Sequence, residues 1–179
     1  ASLLEQRGVT PEVLHAAMLT RARLGRINDV IHAVAIALSL PYLLEPGEQL
    51  KRPSLAAGND PSRPFDVETN KRIAEFKLAK WDGHDAVRKR QTFKDAVALA
   101  ADDSGRTAGL YVLGERPIRF LRDTTSSARW GLDRSPAVHR LFEQKFGTLD
   151  TEISEFMRGP GARVRVIDLE QRLPLLFPA

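Results

Sequence analysis

The chain has 179 residues, of which 42% are hydrophobic and 28% are charged, as in ordinary globular domains. No apolar run is long enough to span a bilayer and no signal peptide is visible, so we expect a soluble, cytoplasmic protein without a membrane partner. The absence of cysteine excludes disulfides, thiolate catalysis and cysteine-ligated zinc. The length suits a single domain with its core at about 28–122, a helical N-terminal segment at 1–25 and a mainly helical C-terminal segment at 135–179.

The first elements in chain order are two predicted helices. Thr10 and Pro11 suit the start of the first helix, which Gly25 ends. The second is predicted to run from about Asn28 to about Leu40, because Asn28 is a good cap and Pro41 bends or stops a helix. The residues that we expect to face the core from this helix are Val30, Ile31, Val34 and Leu38.

The pattern then changes to short alternating runs, which predict three strands. These are about Gln49 to Ala56, about Pro64 to Glu68 and about Arg72 to Ala79. A tight polar turn at Thr69 to Lys71 joins the last two strands as a hairpin.

The second half of the chain is predicted to mix helices with buried strands. A helix at about Asp85 to Ala101 has an apolar face, and Leu110 to Leu113 is a strand of the buried type. Ile118 to Leu121 is expected to pair with that strand, through a turn at Gly114 to Pro117. The region from Ser135 to Met157 is predicted to be helical with a break at Gly147, and a last strand is predicted at Arg163 to Ile167. The expected apolar face of the helix at 85–101 consists of Ala86, Phe93, Val97 and Ala100.

The formal net charge of +4 is modest, but the basic residues are concentrated between Lys71 and Lys94. A basic surface around one segment is what contact with a phosphate backbone requires, although an ordinary solvated helix face predicts the same residues. The candidates for nucleic-acid binding in this segment are Lys80, Arg88, Lys89 and Lys94.

Three residues of the predicted hairpin form a constellation that suggests chemistry. Strand alternation places Glu75 and Lys77 on one face of their strand, and Asp66 lies on the preceding strand, where cross-strand pairing brings its carboxylate towards Glu75. Two carboxylates that are close together repel each other, and a divalent cation relieves that repulsion. Mg²⁺ suits one or two protein carboxylates together with a substrate phosphate, and Mn²⁺ is a possible replacement. The alternative is a solvent-facing ion pair between Glu75 and Lys77.

The segment from Asp66 to Lys77 resembles the motif of the PD-(D/E)XK nuclease superfamily. The match is Asp66, eight intervening residues and then Glu75-Phe76-Lys77. The predicted order of helix, three strands, helix and strand over about Asn28 to Leu113 is also that of the family core. One departure is that Phe65, rather than proline, precedes Asp66, with Pro64 one position earlier.

The resemblance implies an α/β, restriction-endonuclease-like core, in which a central mixed sheet is flanked by helices. It also implies a Mg²⁺-dependent nuclease with DNA as the expected substrate, while the sequence leaves RNA open. By analogy, Asp66, Glu75 and the Phe76 carbonyl would bind the metal and Lys77 would assist the attacking water. A non-catalytic nucleic-acid-binding module on the same fold is the alternative function, and a protein-interaction domain is a weaker one. A homodimer or a larger, multidomain parent protein is compatible with either.

Four further residues are possible accessory residues: Asp29, His32, Glu68 and Gln91. Asp29 and His32 lie on the helix where some family members place an additional metal ligand, although an acid near a helix N-terminus also favours the helix dipole. Glu68 shares the strand face of Asp66, and Gln91 lies on the basic helix; each is also an ordinary exposed residue by pattern.

Overall fold

The computed structural model describes residues 27–53, 64–83 and 85–177, together with His15, Ala16 and Met18. Most of the predicted N-terminal helix therefore lies outside the described residues, as do residues 54–56 at the end of the first predicted strand. The three separate described residues are helical. Among the described residues, no helix is long and apolar enough to cross a membrane.

The described elements are helices and strands, with three strands in succession and later four helices in succession. In chain order they are α1 (Ile27–Leu43), β1 (Leu50–Pro53), β2 (Val67–Thr69), β3 (Arg72–Lys77), α2 (Ala86–Ala100), β4 (Thr107–Val112), α3 (Glu115–Asp123), α4 (Ala128–Leu132), α5 (Pro136–Phe146), α6 (Ile153–Arg158), a 3₁₀ turn (Pro160–Arg163), β5 (Val164–Asp168) and α7 (Leu169–Arg172). The five strands form one sheet in the order β1-β2-β3-β4-β5. The first two pairings are antiparallel and the last two are parallel, so the predicted α/β class with a central mixed sheet flanked by helices is confirmed.

The hairpin turn between β2 and β3 is built around Thr69. Its hydroxyl oxygen accepts the backbone N–H groups of Lys71 and Arg72 at 3.0 and 2.8 Å, which satisfies the turn locally. Arg72 then binds both carboxylate oxygens of Glu48, at 2.9 and 3.0 Å, and donates to the Tyr111 hydroxyl at 2.7 Å. This network fixes the amino end of β3, and the pairing of Lys77 with Val112 of β4 sets the register at the other end of the strand.

Two hydrophobic clusters pack on opposite faces of the sheet. On one face, Ile73, Leu110 and Val112 contact apolar residues of the helices from α2 to α6. On the other face, Phe76 and Tyr111 stack with ring centroids 4.6 Å apart, in a cluster that includes Ile36 of α1 and Leu169 of α7. Because β3 and β4 are covered on both sides, they are buried in the way that parallel strands require.

Helix α1 was predicted correctly in position, but its buried face was not. Val30, Ile31, Val34 and Leu38 are 49–58% exposed, whereas Ile36 and Ser39 are buried and Leu40 and Leu43 pack against the core. The sequence offers two apolar stripes on one helix, and periodicity alone does not choose between them.

Pro41 lies inside α1 instead of ending it. The proline removes one donor, but the helical hydrogen bonding continues beyond it, since the Leu44 N–H donates to the Leu40 carbonyl at 3.0 Å. The helix therefore reaches Leu43 and carries Leu40 and Leu43 to the core.

The segment from Ile118 to Leu121 is helical, so the predicted strand there is wrong. It lies within α3, where Pro117 and Leu121 are buried one helical turn apart and Glu115 pairs with Arg119 at 2.6 Å. The neighbours of β4 are β3 and β5 instead. The predicted last strand corresponds to β5, which means that the C-terminal segment supplies a strand of the central sheet as well as helices.

The other predicted elements agree with the structure to within a few residues. The helix predicted at 85–101 is α2, in which Phe93, Val97 and Ala100 are buried but Ala86 is exposed, contrary to the expected face. The strand predicted at 64–68 is shorter than expected, since β2 begins only at Val67. The predicted break at Gly147 separates α5 from α6, and Gly147 has a φ of 96°, which suits glycine.

Candidate active site

The predicted pair of Glu75 and Lys77 lies at the carboxyl end of β3. Both side chains point to the face that carries α2, while Ala74 and Phe76 are buried on the opposite face. The Nζ atom of Lys77 lies 3.3 Å from Oε2 of Glu75. The stacking of Phe76 on Tyr111 and the burial of Ala74 hold the strand, so the two charged groups have little freedom to move.

Asp66 lies immediately before β2, beside the point where the hairpin opens. The last pair of the β2–β3 ladder on this side joins Val67 to Ala74. Beyond it, Oδ2 of Asp66 accepts the backbone N–H of Phe76 at 2.8 Å. Nε2 of His32, from α1, lies 3.3 Å from the same oxygen. Among the described residues no group is hydrogen bonded to the other carboxylate oxygen, Oδ1.

Asp95 on α2 was not predicted as a site residue, yet it makes the shortest contact in this region. Its Oδ2 lies 2.6 Å from Nζ of Lys77, and its side chain is only 10% exposed. Lys94 lies 3.7 Å from the other oxygen. Lys77 thus has two carboxylate partners, one from its own strand and one from α2. We call Asp66, Glu75, Lys77 and Asp95 the acid–lysine site.

Burial and mutual repulsion set the protonation of the carboxylates. Burial is the largest cause that raises the pKa of Glu75 to about 8, and the charges of Asp95 and Asp66 raise it further against the opposing effect of Lys77. Burial would also raise the pKa of Asp66, but hydrogen bonds from His32 and from the Phe76 N–H hold that pKa below its ordinary value. The two acids therefore differ: Asp66 is the ionised one, and Glu75 retains a proton near neutral pH.

The lysine remains charged. Burial alone would lower the pKa of Lys77, but the charges of Asp95 and Glu75 outweigh burial and keep that pKa above its ordinary value. A permanently protonated ammonium donates hydrogen bonds and does not act as a base. Lys77 can therefore stabilise negative charge or orient a water molecule.

The accessory candidates lie at different distances from this region. His32 contacts Asp66, and Asp29 lies three residues earlier in the first turn of α1. Glu68 forms an ion pair with Arg106 at 2.9 Å, and Gln91 is exposed on α2. The side chain of Phe76 is buried in the core, so only its backbone can contribute to a site.

The four basic residues predicted to bind nucleic acid lie after β3 and along α2. Three of them contact acids: Lys80 lies 3.0 Å from Glu170, Arg88 lies 2.6 Å from Asp85, and Lys94 contacts Asp95. The ammonium of Lys89 lies 5.7 Å from the ring centroid of Phe120. Because most of these charges have partners, their attraction to a polyanion is weaker than their number implies.

No protein-family model, curated protein or solved structure matches this chain. Among the described residues, no group of three or more His, Cys, Asp or Glu side chains is arranged to hold a metal ion. The site combines the buried carboxylate of Asp95 with the half-buried carboxyl groups of Asp66 and Glu75, and Lys77 provides a fixed donor.

Proposed function

We propose that the chain is a divalent-cation-dependent nuclease of the PD-(D/E)XK kind, with a restriction-endonuclease-like core, that hydrolyses phosphodiester bonds, in DNA in the first instance. The observation that carries the proposal is the acid–lysine site, in which Lys77 lies 3.3 Å from Glu75 and 2.6 Å from Asp95, and the charge of Asp66 acts on the pKa values of both Glu75 and Lys77. The element order from α1 to β4 supports it, because it follows the order of that family core.

The acid–lysine site offers carboxylate oxygens, the type of donor that Mg²⁺ prefers. Asp66 would bind through Oδ1, the oxygen not used by His32 and Phe76, and Glu75 would bind after losing its proton. The Phe76 carbonyl is the third ligand by analogy with the family. This set needs only two carboxylates, in keeping with the preference of Mg²⁺ for few protein ligands. When bound, the ion supplies positive charge to a phosphate oxygen and favours ionisation of a water molecule.

Each protein group then has a separate task. The contacts of His32 and the Phe76 N–H orient the Asp66 carboxylate. Lys77 donates to the scissile phosphate or to the attacking water, since its ammonium does not lose its proton near neutral pH. Asp95 keeps Lys77 in place when Glu75 turns towards a cation, because the lysine retains its contact of 2.6 Å.

A second candidate function is a non-catalytic nucleic-acid-binding module. The observation that favours it is that Glu75, Lys77 and Asp95 already satisfy one another as an ion-pair group. In that case the acids stabilise the fold, and the basic residues around α2 provide affinity.

Cleavage assays distinguish the two functions. The parent protein is incubated with circular and linear DNA, with and without Mg²⁺ or Mn²⁺, beside Asp66→Asn, Glu75→Gln and Lys77→Met. We expect the two acid variants to lose cleavage and keep DNA binding, and Lys77→Met to lose on the order of 10² to 10³ in rate while still binding Mg²⁺. Cutting of the circular substrate would identify an endonuclease.

The matched control is Glu143→Gln, which removes an exposed acid on α5. It should cut at the parental rate. Parental rates from any of the three site variants would refute the proposed site. A parent that binds DNA but does not cut it with either metal would support the binding-module function.

A further inference from the structure

A cavity of about 400 Å³ lies between α3 and the N-terminal part of α2. Its lining includes Trp81, Lys89, Arg116, Arg119, Phe120 and Thr124. Because β3 and β4 are parallel, the chain leaves both strands at the same edge of the sheet before it reaches these residues. We call this cavity the α2–α3 pocket.

The pocket lies close to the acid–lysine site. Trp81 follows Lys77 by four residues, so their Cα atoms are at most about 14 Å apart. Along α2, Lys89 precedes Asp95 by six residues, which is an axial separation of about 9 Å. At an axial rise of about 3.4 Å per nucleotide of a strand, these distances correspond to roughly three or four nucleotides. A strand held at Lys77 would therefore reach the pocket.

The lining of the pocket contains more cationic than anionic side chains. Lys89, Arg116 and Arg119 contribute three cationic groups. Of the two acids in the lining, Asp85 is bound to Arg88 at 2.6 Å, and Asp123 is bound by Arg122 at two distances of 2.8 Å. The partners of these acids lie outside the pocket lining, and Arg119 itself pairs with Glu115 at 2.6 Å, so Lys89 and Arg116 are the cations of the lining that have no carboxylate partner among the described residues.

The aromatic residues provide an apolar surface beside the cations. Trp81 and Phe120 have ring centroids 5.7 Å apart, and Phe120 is partly exposed while Trp81 is buried. Lys89 lies over the Phe120 ring, and Nη1 of Arg116 donates to the Trp81 carbonyl at 2.9 Å. Basic groups next to an exposed aromatic ring are the combination that binds the phosphate and the base of a single strand.

From these observations we infer that the α2–α3 pocket binds one nucleotide of the nucleic-acid strand, a few positions from the cleaved bond. The phosphate contacts Lys89, Arg116 and Arg119, and the base or sugar packs on Phe120. The identity of the ligand rests on the proposed function, whereas the pocket itself rests on the contacts of α2 and α3.

Binding is tested without cleavage, with a short fluorescein-labelled oligothymidylate in the presence of EDTA. The variant is Lys89→Gln with Arg119→Gln, which removes two charges but leaves the Arg116 hydrogen bond. The control is Arg140→Gln, an exposed position on α5 outside the pocket. Thermal unfolding of each variant checks that the fold is intact.

The expected effect follows from counterion release. Each phosphate neutralised in a single strand contributes about 0.7 to the slope of log affinity against log salt, so two contacts contribute about 1.4. The ratio of the parental affinity to that of the double variant should therefore be roughly 25-fold larger at about 0.1 M salt than at about 1 M salt. The control should keep the parental affinity and slope.

A second readout reports the location of the ligand. In a Trp130→Phe background, Trp81 is the remaining tryptophan, and oligothymidylate should change its emission unless Lys89 and Arg119 are replaced. Three results would each refute nucleotide binding in the α2–α3 pocket. They are unchanged affinity of the double variant, an equal loss of affinity in the control, and a parent protein that does not bind the oligothymidylate. Pocket-dependent binding by a protein that cuts no DNA would instead refute only the nuclease proposal.

Discussion

Replacing Asp95 with asparagine preserves the shape of the side chain but removes its charge beside Lys77. Removing one partner of a buried ion pair costs about 3–5 kcal/mol of unfolding free energy. Glu75 remains 3.3 Å from the same ammonium, so the lower end, about 3 kcal/mol, is expected. In a chain of this size, that corresponds to a fall of about 6–12 °C in Tm.

A double-mutant cycle tests the reasoning by urea unfolding. In Lys77→Met the Lys77 ammonium is gone and Asp95 keeps only its longer contact with Lys94 at 3.7 Å, so adding Asp95→Asn should cost less than about 1 kcal/mol. We expect a coupling of about 2–3 kcal/mol between the two positions. The exposed pair of His139 and Glu143 is the control, since Glu143→Gln should cost less than about 1 kcal/mol. If the losses of unfolding free energy in the two single variants add up to the loss in the double variant within about 0.5 kcal/mol, Asp95 and Lys77 do not interact.

Two further predictions concern the metal and the core. Because the pKa of Glu75 is about 8, a proton competes with Mg²⁺ below that pH, so the affinity measured by calorimetry should rise about tenfold per pH unit until about pH 8 and then level off. The same pH dependence in Glu75→Gln would contradict this assignment. Gly131→Ala would place a Cβ 2.4 Å from Phe93, which should cost about 1–3 kcal/mol in urea unfolding. Gly159→Ala, with its nearest neighbour at 3.5 Å, should cost less; equal losses would show that the core near Phe93 relaxes freely.

Strand alternation was the most informative local pattern in this sequence. The alternation from Arg72 to Lys77 predicted both the strand and the shared face of Glu75 and Lys77, because burial of one face fixes the register. Ile118 to Leu121 was too short an apolar run to separate a strand from a helix, and the Glu115–Arg119 pair on α3 was overlooked as a helical signal. The positions of Arg116 and Arg119 beside the pocket were missed for that reason.

Asp95 illustrates a different limit. It lies between Lys94 and Ala96 on a helix with many charged residues, so its sequence environment is that of a solvent-exposed acid. Its burial results from the packing of α2 against β3, a contact between distant parts of the chain that local periodicity does not encode. The exposed face of α1 has the same origin, since tertiary packing selected Ile36 and not Val34.

The hydrogen bond between Asp66 and the Phe76 amide makes the backbone a reporter of the site. The amide proton of Phe76 is held by a side chain, so its exchange with solvent follows the carboxylate and not the opening of the β2–β3 ladder alone. A ligand that binds the Asp66 carboxylate would therefore shift the amide resonance of Phe76 in a nitrogen–proton NMR spectrum. The same amide would reveal occupancy of the acid–lysine site in a variant that has lost all activity.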